Sequence, residues 1–250
     1  MYPPFLSVES IYYDYSNRET LQDISFSLDE GEILGIIGKN GSGKTTLLKC
    51  INRLLIPKSG KIIFDGKDTS NLKSRDIAKI FGYVPQKNHF ETSFSSFDVV
   101  MMGRNPHSFW GNKEDNRIVE SVISEIGISN LSSRCFSELS GGEMQKVLIA
   151  RAIAQESKIL LLDEPTNNLD ICQQLDIINT LKRLVKSRGS SMCVVVHDLS
   201  TSLKHCDKTL ILELGKKMEF GPSHEVLTKE KIKSFFDVDV EIYKNNVIID

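Results

Sequence analysis

The chain has 250 residues, 31 Lys+Arg against 33 Asp+Glu for a net charge of −2, and is 40% apolar and 26% charged. At about 150 residues per domain this is one large domain or two small ones, ample for a proper core. The composition excludes long disorder, a collagen-like repeat and a disulfide-stapled miniprotein, and the near-neutral charge gives no reason to expect bulk binding of nucleic acid or of an anionic membrane. Its longest apolar stretches, such as Ile159 to Leu162 and Cys193 to Val196, fall far short of the roughly 18–20 residues of a membrane span. The opening MYPPFLSVES has neither a basic start nor an apolar core, so no signal peptide is expected. Five scattered cysteines without a C-x-x-C pair predict reduced thiols packed as small hydrophobes.

In chain order, Ile24, Phe26 and Leu28 alternate with polar residues as a half-buried strand does, and after the Glu30-Gly31 turn the run Ile33 to Ile37 reads as a strand buried on both faces. A helix is expected from Lys44 to about Arg53. Ile62-Ile63-Phe64 then enters a tight hairpin at Asp65-Gly66. The stretch from about 88 to 156 is helical in character. Ser96 with Asp98 opens one helix, Lys113 to Ile126 is a second stopped by Gly127, and Ser140 with Glu143 has the spacing of a capping box. Strand, helix and strand return with Ile159–Leu162, Ile171–Lys186 closed by Gly189, and Met192–Val196. Such alternation predicts a parallel sheet flanked by helices. A last hairpin about Asn245-Asn246 is expected within Val240 to Ile249.

The sharpest motif is GKNGSGKT, Gly38 to Thr45, which fits G-x-x-x-x-G-K-[ST] and lies between a predicted strand and a predicted helix. Glycines let successive backbone N–H groups of Gly38, Asn40, Gly41, Ser42 and Gly43 point at one anion, and the helix that follows adds its unpaired donors. Lys44 is then placed to reach the β- and γ-phosphates, the Thr45 hydroxyl to ligate Mg²⁺, and Thr46 to donate to the α-phosphate. A dinucleotide fingerprint fails, because Thr46 stands where G-x-G-x-x-G needs its third glycine. The expected ligand is therefore a nucleotide phosphate.

KILLLDE, Lys158 to Glu164, is a buried-strand run ending in two carboxylates. Asp163 at the strand end suits Mg²⁺ held through water, and Glu164, one residue further, suits a general base that polarises an attacking water. Two adjacent carboxylates point to hydrolysis rather than to nucleotide storage.

About 20 residues upstream stands LSGGE, Leu139 to Glu143. Together with the phosphate loop and the motif order over most of the chain, it resembles the signature of ATP-binding-cassette (ABC) ATPases. Ser140, Gly141 and Gly142 at a helix start make a second anion site, redundant in one chain unless it serves another molecule. The resemblance implies a head-to-tail homodimer in which each signature touches the γ-phosphate held by its partner. It further implies that Tyr15 stacks on adenine, that Gln86 approaches Mg²⁺ and links the core to the helical segment, that His197 contacts the γ-phosphate, and that Asp170 belongs to the loop facing the partner. Two departures stand out: Glu143 replaces the commoner glutamine, and Asn167-Asn168 precede Leu169-Asp170.

The implied fold is α/β: a P-loop NTPase ABC cassette with a RecA-like core, an antiparallel β subdomain and an inserted α-helical subdomain. All 250 residues form one domain, residues 1–87 and 157–250 making the core and 88–156 the helical part. Without spans of its own, such a cassette acts as a separate motor at the cytoplasmic face of a membrane. FDVVMMGRNPH, Phe97 to His107, is similar to the V-x-x-G-R-x-P-H stretch of ATPases serving importers of iron-siderophores, haem, cobalamin and related chelates. The expected partners are an identical ATPase subunit, permease subunits contacted near residues 86–107 and, indirectly, an extracellular or periplasmic substrate-binding protein, with no nucleic acid. Importers of molybdate or tungstate and of zinc or manganese share much of this pattern. A soluble ABC ATPase of the iron–sulfur assembly type stays open, and a P-loop kinase or GTPase leaves LSGGE unexplained.

Overall fold

In chain order the elements are β1 (Leu6–Tyr15), β2 (Arg18–Leu28), β3 (Ile33–Ile37), α1 (Lys44–Ile51), β4 (Ser59–Phe64), β5 (Lys67–Asp68), α2 (Ser74–Ile80), β6 (Phe81–Val84), α3 (Ser96–Met101), α4 (Lys113–Ile126) and α5 (Gly141–Ala154). They continue with β7 (Ile159–Asp163), α6 (Ile171–Arg188), β8 (Ser191–Val195), α7 (Leu199–His205), β9 (Lys208–Glu213), β10 (Lys216–Pro222), α8 (Ser223–Val226), α9 (Lys229–Phe236), β11 (Val240–Tyr243) and β12 (Asn246–Ile249). This is a computed structural model, and it describes residues 3–16, 18–86, 93–108, 111–167 and 169–249. The elements fall into two units, Met1–Leu72 with Ser191–Asp250, and Lys73–Ser190. The second contains the expected helical segment 88–156 and adds α2, β6, β7 and α6 to it.

The first unit carries strands in the order β5-β4-β1-β2-β10-β9-β3-β8. Antiparallel pairing holds β1 to β2 and β4, whereas β3 runs parallel to both β8 and β9. Strands β3 and β8 are buried at every position, as their unbroken apolar runs require of parallel strands covered on both faces. The hairpin at Asp65-Gly66 forms as expected, with φ of 47° and 71° at its two central residues. Cys50 and Cys193 are fully buried, and burial pushes each thiol up to about 12, so neither forms a thiolate at neutral pH. None of the five cysteines is in a disulfide.

The second unit is built from short-range signals, of which the Gly127 stop behaves as read. Asn112 caps α4 by accepting the Glu114 and Asp115 N–H groups, Asp115 reaches back to the Asn112 N–H, and Gly127 closes the helix at φ 75°. Its buried Val119, Val122, Ile123 and Ile126 recur at the helical period and face inward. α3 opens at Ser96 as expected, and Ser95 before it is the cap, accepting the Asp98 N–H, while the Ser96 hydroxyl is buried and donates to the Arg134 carbonyl at 3.2 Å. Strands β6 and β7 pair in parallel in this unit. Among the described residues no helix is long and apolar enough to cross a membrane.

Candidate functional site

In the first unit the phosphate loop leaves the C-terminal end of β3 and turns into α1. Gly43 stands just before that helix at φ 100°, a conformation costly for residues with a Cβ, and a Cβ there would lie 2.8 Å from Leu21 Cδ2 and 2.9 Å from the Thr20 carbonyl oxygen. At Gly38 a Cβ would run into the Leu212 carbonyl oxygen. The loop is thus pressed against β2 and the end of β9, and the Ser42 carbonyl also accepts the Gly215 N–H at 3.1 Å.

Lys44 is 6% exposed and folds its ammonium back into the loop, donating to the carbonyls of Gly38 at 2.7 Å and Lys39 at 3.1 Å. Ser42, 3% exposed, buries its hydroxyl with no hydrogen-bond partner among the described residues. A buried hydroxyl without a partner, a buried cation and a glycine cradle on a helix N-terminus form a receptor for an oxyanion such as a nucleotide phosphate. Thr46 is buried beside them, Thr45 is half-buried, and Asn40 and Gly41 are exposed.

His197 lies two residues beyond β8, whose Val195 pairs with Ile36 of β3. Parallel pairing therefore brings His197 and the phosphate loop out of the same end of the sheet, with the Val196 N–H still donating to the Ile36 carbonyl at 3.2 Å. Tyr15 ends β1, 43% exposed, in an edge-to-face pair with Tyr13 whose ring centroids are 4.9 Å apart.

In the second unit β7 ends in the fully buried Asp163, and Glu164 follows in the left-handed region at φ 52°. A non-glycine residue held there stores strain, a feature that concentrates at functional sites. The Gln86 and Asn167 side-chain amides both donate to Glu164 Oε2. The structure thus brings together Gln86 and Glu164, which the sequence singles out separately. It adds Asn167, which the sequence marks only as a departure. The signal was present, since Asn167 stands three residues after Glu164 in a turn that the Asn167 N–H closes onto the Glu164 carbonyl at 3.2 Å. Asn168 lies outside the described residues.

The signature residues begin α5 in the same unit. Ser140 is its cap, and Glu143 completes the capping box by accepting both the Ser140 N–H at 2.9 Å and its hydroxyl at 2.8 Å. Those bonds, the backbone one foremost, hold the Glu143 carboxyl below its ordinary range. Arg134 approaches the same carboxylate at 3.3 Å. Ser140 and Gly141 are exposed, Gly142 is half-buried, and among the described residues a Cβ at Gly141 would meet nothing within 4 Å. Packing among the described residues therefore does not require Gly141. Asp170 caps α6, accepting the Gln173 N–H at 2.8 Å.

Of the GRNPH stretch, Gly103, Arg104 and Pro106 are buried in their unit while Asn105 and His107 are exposed. Arg104, 5% exposed, donates to Asp115 at 2.8 Å, to the Ala154 carbonyl at 2.6 Å and to Glu156 at 2.7 Å, and a Cβ at Gly103 would run into the Arg151 carbonyl oxygen. Of the segment 86–107, residues 87–92 lie outside the described residues. Among the described residues no three His, Cys, Asp or Glu side chains gather into a metal-holding group. Metals at P-loops take a hydroxyl, water and the phosphates as ligands, and the Thr45 hydroxyl in the phosphate loop is an oxygen of that hard kind.

Residues 21–167 match the family model described as ABC transporter. An uncharacterized ABC transporter ATP-binding protein of Methanocaldococcus jannaschii is 42% identical over 238 residues, covering 95% of this chain and 93% of that protein. The petrobactin import ATP-binding protein FpuC of Bacillus anthracis is 36% identical over 244 residues, covering 96% and 90%. A solved inward-facing structure of a metal-chelate type ABC transporter superposes with a TM-score of 0.83 at 30% identity, covering 99% of this chain and 96% of that one.

Proposed function

The chain belongs to the ABC transporter family, and on that footing we propose that it is the ATP-hydrolysing subunit of an importer for an iron-siderophore, haem, cobalamin or a related metal chelate. The observation that carries the hydrolytic reading is the strained Glu164, whose carboxylate is held by Gln86 and Asn167 one residue beyond the buried Asp163. The cargo reading is supported by the petrobactin-import relative and by the metal-chelate transporter structure, both similar over nearly the whole chain.

In this reading one cassette is formed by residues 1–87 and 157–250 with 88–156 as its helical subdomain. Gly38, Asn40, Gly41, Ser42, Gly43, Lys44, Thr45 and Thr46 hold the triphosphate of ATP, and Tyr15 covers the adenine. Thr45, Asp163 and Gln86 would hold Mg²⁺, which would supply positive charge against that of the phosphates. Glu164 accepts a proton from the attacking water, oriented by the Gln86 and Asn167 amides. His197 meets the γ-phosphate from the end of β8.

Importer ATPase subunits work with membrane permeases. This chain docks on its permease through the region of residues 86–107, at the cytoplasmic face of the membrane, and receives cargo from an extracellular or periplasmic binding protein only indirectly. A second copy completes each site, presenting Ser140, Gly141, Gly142 and Asp170. The open space over Gly141 supports that arrangement. ATP that contacts both subunits favours the closed dimer, a differential affinity able to do conformational work.

The test is Glu164→Gln. Turnover is expected to fall by about 10²- to 10⁴-fold, the range of a lost general base, with ATP binding retained and an ATP-bound dimer accumulating. Near-normal hydrolysis in that variant removes Glu164 from the role.

A further inference from the structure

Strands β11 and β12 form a two-stranded sheet of their own, joined by Lys244 and Asn245 at φ 47° and 61°. Two strands alone are marginal in water, so the contacts that hold this hairpin define what it is attached to. On one side Lys229 of α9 pairs with Glu241 at 2.7 Å, and Val240 is 6% exposed. On the other side β12 meets α7. With a two-residue loop, Tyr243 and Asn246 form the hydrogen-bonded pair, which leaves the N–H and C=O of Val247 pointing away from β11. Ser200 of α7 takes both, accepting the Val247 N–H at 2.9 Å and donating to its carbonyl at 3.3 Å. One helical turn on, Lys204 donates to the Asn246 side chain.

The opposite side of α7 is fixed to the sheet. Buried Ser202 lies 3.0 Å from the Thr209 hydroxyl, which lies 2.8 Å from that of Ser223, and Ser223 donates to the Cys206 carbonyl at 2.8 Å. A Cβ at Gly35 of β3 would run into the Ser202 hydroxyl, so the helix lies directly on the strand that feeds the phosphate loop. A helix of seven residues has little stability of its own and keeps the position its contacts give it. Its cap is Asp198, which accepts the N–H of Ser200 at 3.1 Å, the N–H of Thr201 at 2.8 Å and the Thr201 hydroxyl at 2.7 Å. The residue before that cap is His197.

We propose that Ser200 is a positioning residue for His197 and that the β11–β12 hairpin is the brace through which it acts. With the hairpin seated, the first turn of α7 and its Asp198 cap hold His197 at the phosphate end of β8. With Ser200 released, His197 loses that fixed place and hydrolysis slows while nucleotide still binds. The proposal rests on the reading of His197 as the γ-phosphate contact.

The experiment uses the full chain with Ser200→Ala, Ser200→Ala/Lys204→Ala, Ser200→Thr and His197→Ala. Steady-state ATP hydrolysis is measured beside amide hydrogen exchange at Val247. Ser200→Ala is expected to raise Val247 exchange about tenfold. It should lower kcat about threefold to tenfold with KM for ATP unchanged, as a slight misplacement of a reacting-site group does. Lys204→Ala should deepen both effects, Ser200→Thr should restore both, and Ser200→Ala should add nothing to His197→Ala. Faster exchange at an unchanged kcat overturns the proposal, as does a Val247 amide that stays protected in the double variant. If His197→Ala is slow and the Ser200 variants are not, the brace alone fails. If His197→Ala turns over normally, the reading of His197 fails and the brace with it.

Discussion

Replacing Arg104 by alanine tests whether the GRNPH stretch is a structural staple of the helical segment. Arg104 and Asp115 have side-chain exposures of 6% and 3%, and their 2.8 Å contact joins the chain after α3 to the first turn of α4. The same guanidinium satisfies the carbonyl of Ala154 at the end of α5 and pairs with Glu156. Arg104→Ala leaves the Asp115 carboxylate buried beside a void, a loss of about 3–5 kcal/mol. In a chain of this size each kcal/mol moves Tm by about 2–4 °C, so melting should fall by about 6–20 °C. Arg104→Leu/Asp115→Leu, which removes both charges, should recover much of that loss.

The pH dependence has a fixed sign. The Arg104 hydrogen bond, with the pair's attraction and the Asn112 N–H, lowers the Asp115 pKa below its unfolded value of about 3.9. A depressed folded pKa contributes stability above that unfolded value and loses it as pH falls through the folded one. Wild type should therefore lose this contribution below about pH 4, and the double-leucine variant should not. The assay is thermal and urea unfolding of wild type, Arg104→Ala and Arg104→Leu/Asp115→Leu between pH 3 and 8. A single-variant loss under about 1 kcal/mol, the size of an exposed pair, would mean that Arg104 does not hold the helical segment together.

Lys44→Ala should weaken ATP binding by about 10- to 150-fold, the range of a lost charged hydrogen bond, in a fluorescent-nucleotide titration; unchanged affinity removes it from the phosphate site. Gly103→Ala, which drives a Cβ into the Arg151 carbonyl oxygen, should destabilise by about 1–3 kcal/mol in urea unfolding, and a neutral result means that α3 and α5 have room to part. Glu143→Gln keeps the capping geometry and removes a charge beside Ser140, so ATP-driven dimerisation should strengthen about twofold to fivefold by sedimentation. No change there would separate Glu143 from the phosphate facing that helix end.

Much of this was legible because the chemistry is local. Gly38 to Thr45 states its own turn, α4 announces its end through Gly127, and Ser140 with Glu143 spells a capping box that forms as written. What was not legible depends on contacts far apart in sequence. Arg104 reads as part of a permease-facing stretch, and nothing near it shows that Asp115 and Glu156 will enclose it. The Gln86–Glu164 bond spans 78 positions, and neither residue alone reveals the other. The last hairpin is turned at Lys244-Asn245 instead of the expected Asn245-Asn246. Both loop residues need positive φ, and Lys is a poor advertisement for that conformation. Pairing Tyr243 with Asn246 then turns Val247 outward toward Ser200, a contact that sequence alone had no means to show.

Whether this chain is the ATPase of a membrane importer is decided by purifying the tagged Glu164→Gln chain from detergent-solubilised membranes with ATP present and identifying by mass spectrometry what accompanies it. The expected result is a polytopic permease in fixed ratio to two copies of the chain. Wild-type chain bound to that permease should hydrolyse ATP faster when the cargo-loaded binding protein is added. A chain recovered only from the soluble fraction, hydrolysing ATP at a rate indifferent to any membrane subunit, would contradict the importer assignment.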